Sequence, residues 1–202
     1  MYVLQYNCMN LFDKKFNLIN QAFKMIEKIG WESFSFHKLA EEEKISVLDV
    51  NKVLKTKTIL LREFSLMIDS SVEKNFDLKD LENSSTKDNL FELIMLRLEL
   101  MTPYKKALYN IIDAFKKDLS AYKTVSCSIL SSLDFYLELT NSYDGSFLDG
   151  LKKNTLLIIY ARTFMTWMND NSDEMTKTMS ELDKMLSFSE RATKSFKDYF
   201  PI

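Results

Sequence analysis

Apolar residues recur at intervals of three and four along most of this chain, which is the period of an amphipathic α-helix. The apolar face of the first such stretch consists of Phe16, Ile19, Phe23 and Ile26. The spacing predicts a helix over residues 12–29, which Gly30 ends in a left-handed cap. Trp31 then leads into the next segment.

Two short helices are predicted after Trp31. Ser35 can cap the first through its hydroxyl, with Phe36, Leu39 and Ala40 on one face. Ser46 can cap the second, and Ile45 in the turn between them points inward. The inward positions of the second helix are Val47, Val50 and Leu54. Its remaining positions, which face solvent or a partner, are Leu48, Asp49, Asn51 and Lys52.

Longer helices fill the remainder of the chain. One begins near Thr58 and leads into a polar junction over residues 77–86. Further helices are predicted over residues 87–101, 103–117, 119–140 and 146–169. Thr102 and Ser172 are predicted to cap the helices that follow them. With three Gly, two Pro and no long alternating run, the sequence predicts an all-α fold.

The order of the first elements resembles the N-terminal domain of the TetR family of bacterial regulators. The matching residues are Leu39, Ala40, Glu41, Ile45, Ser46, Thr56, Lys57, Ile59, Leu60 and Leu61. The resemblance implies a TetR-like helix-turn-helix head over residues 1–60 and a helical ligand-binding and dimerisation body over residues 61–202. The chain departs from the family pattern at three places. Lys44 stands in the turn where a Gly is usual, and Lys55 stands where Pro is customary. Residues Asn51–Leu54 stand where a small residue and then Tyr-His/Arg-Phe are usual.

The second helix of this motif is the predicted DNA-reading element. Base edges and phosphates would be contacted by Ser46, Asp49, Asn51 and Lys52. The other predicted DNA-binding residues are His37, Lys44, Lys55 and Lys57. Residues 1–77 contain eleven basic and eleven acidic residues, without the basic surplus typical of phosphate-binding domains. An ordinary solvated helix pair with mixed charges therefore remains an alternative interpretation.

The last two helices predict a homodimer. Residues 156–161 are apolar on all sides, and Met175, Met179, Leu182 and Leu186 form a stripe spaced four, three and four. Two such helices from each chain would form a four-helix interface. The predicted interface residues are Leu157, Ile158, Tyr160, Ala161, Met175, Met179, Leu182 and Leu186. The alternative is that both helices only cover the core of the body.

Bulky, adaptable side chains in the body could line a cavity for an apolar small molecule or lipid, the ligand class implied by the resemblance described below. The candidate lining residues are Phe91, Met95, Tyr104, Tyr109, Phe164, Met165 and Met168. The alternative is that they fill the core. Residues 91–108 and 160–191 are similar to an alphaproteobacterial TetR-like branch and, more distantly, to the mitochondrial lipid-binding protein of ubiquinone biosynthesis. That resemblance implies an apolar ligand and work at a membrane.

The C-terminal segment combines aromatic and basic residues. They are Phe196, Tyr199, Phe200 and Ile202, with Arg191, Lys194 and Lys197. Such a helix can lie on an anionic membrane surface, which predicts peripheral membrane contact through residues 191–202. Docking of this segment on the body is the alternative.

Enzyme chemistry has little support in the sequence. His37 is the one histidine, and the consecutive Glu41, Glu42 and Glu43 spread around a helix turn instead of converging. No Gly-rich phosphate loop or nucleophile elbow occurs. We therefore expect a non-enzyme without cofactor or metal. Two cysteines, no signal-peptide pattern and no apolar run of membrane-spanning length predict a cytoplasmic protein in a reducing compartment.

The favoured hypothesis is a TetR-like transcriptional regulator whose body couples an apolar ligand to affinity for duplex DNA. The alternative is a lipid-binding accessory protein of ubiquinone or isoprenoid metabolism that has a TetR-like fold and does not bind DNA. A pure interaction module with a filled body core is a third hypothesis.

Overall fold

The computed structural model describes residues 2–77, 80–115, 119–146 and 148–199, and within these ranges the chain forms helices and no strand. The α-helices are α1 (Tyr2–Ile29), α2 (Phe36–Glu42), α3 (Val47–Val53), α4 (Lys57–Asn75), α5 (Asp80–Asn83), α6 (Thr86–Met101), α7 (Lys105–Phe115), α8 (Leu119–Leu139), α9 (Asp149–Met168) and α10 (Thr176–Tyr199). Short 3-10 turns occupy Thr102–Tyr104 and Asp173–Met175. The predicted all-α class is therefore confirmed.

The first helix is longer than the apolar spacing predicts, since α1 begins at Tyr2 and not near residue 12. Neither Gly nor Pro occurs in the chain before Gly30, so no residue interrupts the helix. Its end is as predicted, because Gly30 has a φ of 80° and its N–H donates to the Ile26 carbonyl at 2.9 Å.

Packing groups the N-terminal helices with a later part of the chain. One compact unit comprises Met1–Ile68 and Thr102–Ser128. In this unit α7 lies along α1, where the Asn110 side-chain amide donates to the Ile26 carbonyl at 3.0 Å. The buried core includes Ile19, Phe23, Ile26, Phe34, Leu39, Val50, Leu54, Leu60 and Phe64. The predicted division at residue 60 stays a prediction about function and is not the boundary between packing units.

The second compact unit comprises Asp69–Met101 and Ile129–Ile202. Here α10 packs on α9 and α6, and the core includes Leu93, Ile94, Leu98, Leu133, Leu156, Ile159, Trp167 and Leu182. A buried polar cluster joins four helices of this unit. Its members are Asp69, Arg97, Ser132, Tyr136 and Tyr160.

Two predicted caps are corrected by the structure. Thr102 lies in a 3-10 turn ahead of α7, because Pro103 has no N–H with which to continue the α-helical hydrogen bonds of α6. Ser172 precedes the other 3-10 turn and makes no side-chain cap bond. The first turn of α10 is instead capped by Asp170, whose carboxylate accepts from the Thr178 N–H at 2.9 Å and the Thr178 hydroxyl at 2.7 Å.

None of the helices in the described part of the chain is both long enough and apolar enough to span a membrane. The C-terminal side chains predicted to contact a membrane surface lie partly outside the described residues. Those outside are the side chains of Phe196, Lys197 and Tyr199, and the whole of Phe200 and Ile202.

Candidate DNA-binding site

The predicted motif is present as α2, a turn and α3, and both predicted caps are confirmed. The Ser35 hydroxyl accepts from the Lys38 N–H at 3.3 Å. The Ser46 hydroxyl accepts from the Asp49 N–H at 3.0 Å and donates to the Asp49 carboxylate at 2.8 Å. Each short helix is therefore stabilised at its N-terminus by its own sequence.

The turn between these helices keeps a left-handed residue although it lacks glycine. Lys44 has a φ of 55°, and the next N–H, that of Ile45, donates to the Ala40 carbonyl at 3.0 Å. Left-handed backbone is unfavourable for a side chain with a Cβ atom. Lys44 therefore keeps the turn conformation at a cost in stability that a glycine would not have.

Helix α3 has one buried face and one exposed face. Val50 and Leu54 are fully buried, whereas Asn51 and Lys52 are exposed. Leu48 is 73% exposed, the highest value among the exposed large apolar side chains of the described residues. The sequence pattern places Leu48 on the outer face, but the predicted contact residues are all polar and do not include it. An apolar side chain inside a polar surface is the signal that identifies it.

Charge on the exposed face of α3 is partly compensated. The Lys52 ammonium donates to the Asp49 carboxylate at 2.8 Å. This bond and the one from the Ser46 hydroxyl lower the pKa of Asp49. Lys44 and Lys55 are also exposed, as is His37 on α2. These lysines supply most of the positive charge beside the reading face.

Lys57, also predicted as a phosphate contact, has partners within its own unit. Its ammonium donates to the Trp31 carbonyl at 2.6 Å and lies 4.9 Å from the centre of the Trp31 ring. Burial lowers the pKa of Lys57. The side chain thus ties the start of α4 to the residue that follows the α1 cap, and it is half-buried, unlike the exposed Lys44, Lys52 and Lys55.

The predicted ligand-binding residues belong to two different packing units. Tyr104 and Tyr109 belong to the first unit, where Tyr109 is 61% exposed. The other five belong to the second unit, where Phe91, Met95 and Met168 are half-buried and Met165 is exposed. The Phe164 ring packs against Tyr160 and Trp167, with ring centres 6.1 and 5.3 Å away, which is a core role.

The predicted dimer residues separate into buried and exposed groups. Tyr160, Leu182 and Leu186 are buried by their own unit, so they are corrected to core residues. Leu157 and Met175 are half-buried, and Ile158, Ala161 and Met179 are exposed. Sequence reasoning missed three further exposed apolar side chains of these helices, which are Leu151, Met165 and Phe188. On α9 an exposed apolar stripe, defined by Leu151, Ile158 and Met165, repeats every seven residues.

The fold is similar to the crystal structure of the TetR transcriptional regulator from Nitrosomonas europaea ATCC 19718. The TM-score is 0.73, the sequence identity is 17%, and the match covers 87% of this chain and 96% of that chain. No family model and no curated protein sequence matches the chain. The predicted TetR-like fold is therefore confirmed by the structural likeness.

Proposed function

Because the chain has a TetR-like fold, we propose that it is a transcriptional regulator that binds duplex DNA through α3. The observation that carries the proposal is the exposed face of that helix. Leu48, Asn51 and Lys52 project from it, while Val50 and Leu54 anchor it in the core. A short helix anchored in this way can enter a major groove with its N-terminal residues against base edges. The protein acts by binding and not by catalysis.

Each exposed side chain of α3 has a matching group on DNA. The Leu48 side chain suits the methyl group of a thymine, and the Asn51 amide suits the paired donor and acceptor of an adenine. Lys44, Lys52 and Lys55 would contact phosphates, with Ser46, Asp49 and His37 at the edge of the interface. Phosphate contacts supply salt-dependent affinity, and base contacts supply sequence preference.

We further propose that two chains pair through the exposed apolar stripe of α9, with Met179 of α10 beside it. An apolar stripe with a seven-residue repeat is the pattern that packs against a second helix. A pair of chains would present two copies of α3, and the distance between the copies must match the spacing of DNA half-sites. An apolar ligand bound among the body helices would regulate the protein if it favoured one such distance over another.

The alternative function, a lipid-binding accessory protein without DNA binding, is not favoured by the structural likeness. It stays a prediction from the sequence resemblance. Co-purification of lipid with the intact chain, together with no affinity for duplex DNA, would bring it forward.

The salt dependence of DNA binding tests the proposal. We expect Lys52→Gln to weaken binding to all sequences and to lower the slope of log affinity against log salt by about one. Lys177→Gln removes an exposed lysine of α10 and is the matched control. Equal slopes for Lys52→Gln and wild type would refute the phosphate contact.

Thymine-to-uracil replacement tests the contact of Leu48. A binding sequence would be selected from a random duplex library. It would then be made with uracil in place of one thymine at a time, which removes only the methyl group at that position. We expect this change to weaken wild type and to leave Leu48→Ala unaffected at the contacted position. An equal loss for both proteins would contradict the assignment of Leu48.

A further inference from the structure

A cleft of about 210 Å³ lies in the first unit, between α1 and the segment where the Thr102–Tyr104 turn leads into α7. Its walls are formed by Asn20, Phe23, Lys24, Glu27, Pro103, Tyr104 and Ala107. An enclosed apolar cavity of about 150 Å³ is enough to bind benzene. The cleft therefore has room for one six-membered ring and a small polar substituent.

The apolar wall of the cleft is a packed aromatic cluster. The Phe23 ring stacks on Phe64 with ring centres 4.0 Å apart, and Tyr104 meets both rings edge-on at 5.5 and 5.0 Å. Burial raises the pKa of Tyr104, so its hydroxyl remains protonated and donates to the Asn20 side-chain oxygen at 2.6 Å. Rings held on several sides form a pre-organised surface on which another ring can pack.

The polar groups of the cleft favour an anion. Because the Asn20 oxygen is occupied by Tyr104, its side-chain NH₂ group is the part of the amide that can donate to a ligand. Lys24 is exposed and has no ion-pair partner among the described residues. The Glu27 carboxylate is compensated by the Lys106 ammonium at 3.5 Å. Lys24 is therefore the ammonium of the lining that is available to an anionic ligand.

We propose that this cleft binds a small aromatic carboxylate. The ring would pack against Tyr104 and Pro103, behind which Phe23 is buried, and the carboxylate would accept hydrogen bonds from the Lys24 ammonium and the Asn20 NH₂ group. The site is separate from α3, and the inference does not depend on DNA binding. A bound ligand would link α1 directly to the start of α7.

Benzoate and benzamide, which share a ring and differ in charge, are the probes for this site. Titration calorimetry on the full-length protein should detect benzoate binding and at least about tenfold weaker binding of benzamide, because a hydrogen bond between charged groups is stronger than one to a neutral amide. Failure of the wild type to bind benzoate at millimolar concentration would overturn the proposal, as would equal affinity for the two probes.

Two substitutions locate the binding within the protein. Lys24→Gln removes the charge at an exposed position, and Asn20→Asp keeps the acceptor for the Tyr104 hydroxyl while replacing the NH₂ donor by a negative oxygen. Each should weaken benzoate binding by about tenfold or more. Lys14→Gln, an exposed lysine of the same helix outside the cleft, should leave binding unchanged.

Folding of each variant is checked by its circular dichroism spectrum and melting temperature. Benzoate binding that is equal in wild type and Asn20→Asp, with both folded, would place the ligand elsewhere and overturn the proposal. If Lys14→Gln weakened benzoate binding as much as Lys24→Gln does, the effect would come from the net charge of the protein and not from the cleft. That result would also overturn the proposal.

Discussion

At the scale of single residues, the turn of the motif shows backbone strain that a substitution can remove. Lys44 is exposed and has a φ of 55°. A residue with a Cβ atom in this conformation destabilises the folded state by roughly 1–2 kcal/mol. Glycine avoids that cost, but its greater freedom in the unfolded chain cancels roughly 0.5–1 kcal/mol of the gain.

We therefore expect Lys44→Gly to raise the free energy of unfolding by about 0.5–1 kcal/mol, measured by urea denaturation. Glu41→Gly, in the exposed part of α2, is the control and should lower it by about 0.5–1 kcal/mol. A destabilised Lys44→Gly would mean that the turn does not hold a left-handed residue.

The role of a side chain can be predicted from sequence when its hydrogen-bond partner lies only a few positions away along the chain. The hydroxyls of Ser35 and Ser46 each accept from the backbone N–H three residues ahead, and the sequence predicts both caps correctly. The partner of Lys57 is the carbonyl of Trp31, 26 residues earlier, which a local pattern cannot reveal. The sequence pattern places Leu48 on the exposed face, but it does not predict a contact there, because the apolar character of Leu48 resembles that of a core residue.

At the scale of helices, Asp170 connects α9 to α10 through its carboxylate. One oxygen accepts from Ser172 at 2.9 Å through its N–H, and the other accepts from Thr178. Burial acts to raise the pKa of Asp170, but these hydrogen bonds outweigh it and lower the pKa below its ordinary value. The sequence pattern predicts Ser172 as the cap. Ser and Asp are both good N-cap residues, so the pattern cannot choose between Ser172 and Asp170, and the geometry of the turn decides.

We expect Asp170→Asn to lower the free energy of unfolding at pH 7 by about 1–3 kcal/mol, because the NH₂ group of Asn would face the Thr178 N–H donor. A carboxyl whose pKa is lower in the folded state stabilises the protein fully when the pH is above its pKa in the unfolded chain, which is about 4. This stabilisation is lost as the pH falls from there toward the lower pKa of the folded state. The difference between wild type and variant should therefore shrink between pH 5 and pH 2, the approximate range over which the carboxyl titrates. A constant difference across this range, measured by urea denaturation, would contradict the assignment.

The buried cluster around Arg97 joins the last part of α4 to α6, α8 and α9. The guanidinium pairs with Asp69 and donates to the Tyr160 hydroxyl at 3.2 Å and the Tyr136 hydroxyl at 3.3 Å. Ser132 also donates to Asp69, at 2.6 Å. A buried charge that keeps all these partners is tolerated, whereas one that loses its counter-ion is not.

Asp69→Asn should therefore lower the free energy of unfolding by about 3–5 kcal/mol, since it leaves the Arg97 charge buried and uncompensated. Arg97→Met should also destabilise the protein, and the double variant should be less destabilised than the sum of the single ones. Chemical denaturation of all four proteins completes the double-mutant cycle. Strict additivity would mean that the two groups do not interact.

At the scale of the whole molecule, the exposed apolar stripe of α9 is the surface that the proposed dimer needs. Sequence predicted an interface on the last two helices, but a helix that is apolar on all sides does not reveal which side its own chain covers. Tyr160 was assigned to the interface and lies in the core, while Leu151 was missed and lies on the surface. The fold class needed only the pattern of helices and caps, and was predicted correctly.

Ile158→Glu should convert the proposed dimer to a monomer in sedimentation experiments, because an unpaired carboxylate cannot be buried in an apolar interface without a large free-energy cost. Ile158 is 65% exposed in the single chain, so the substitution should leave the monomer folded. Leu66→Glu, at an exposed apolar residue of α4, is the control and should not change the association state. Equal association of Ile158→Glu and wild type would remove this interface from the account.

The most direct test of the central claim is the affinity of the wild-type protein for duplex DNA from the region upstream of its own gene. Fluorescence anisotropy would compare this duplex with a scrambled one of the same composition at two salt concentrations. The account predicts tighter binding to the natural sequence and weaker binding to both at higher salt. Equal affinity for the two duplexes at both salt concentrations, with the protein folded and dimeric, would contradict DNA recognition by α3.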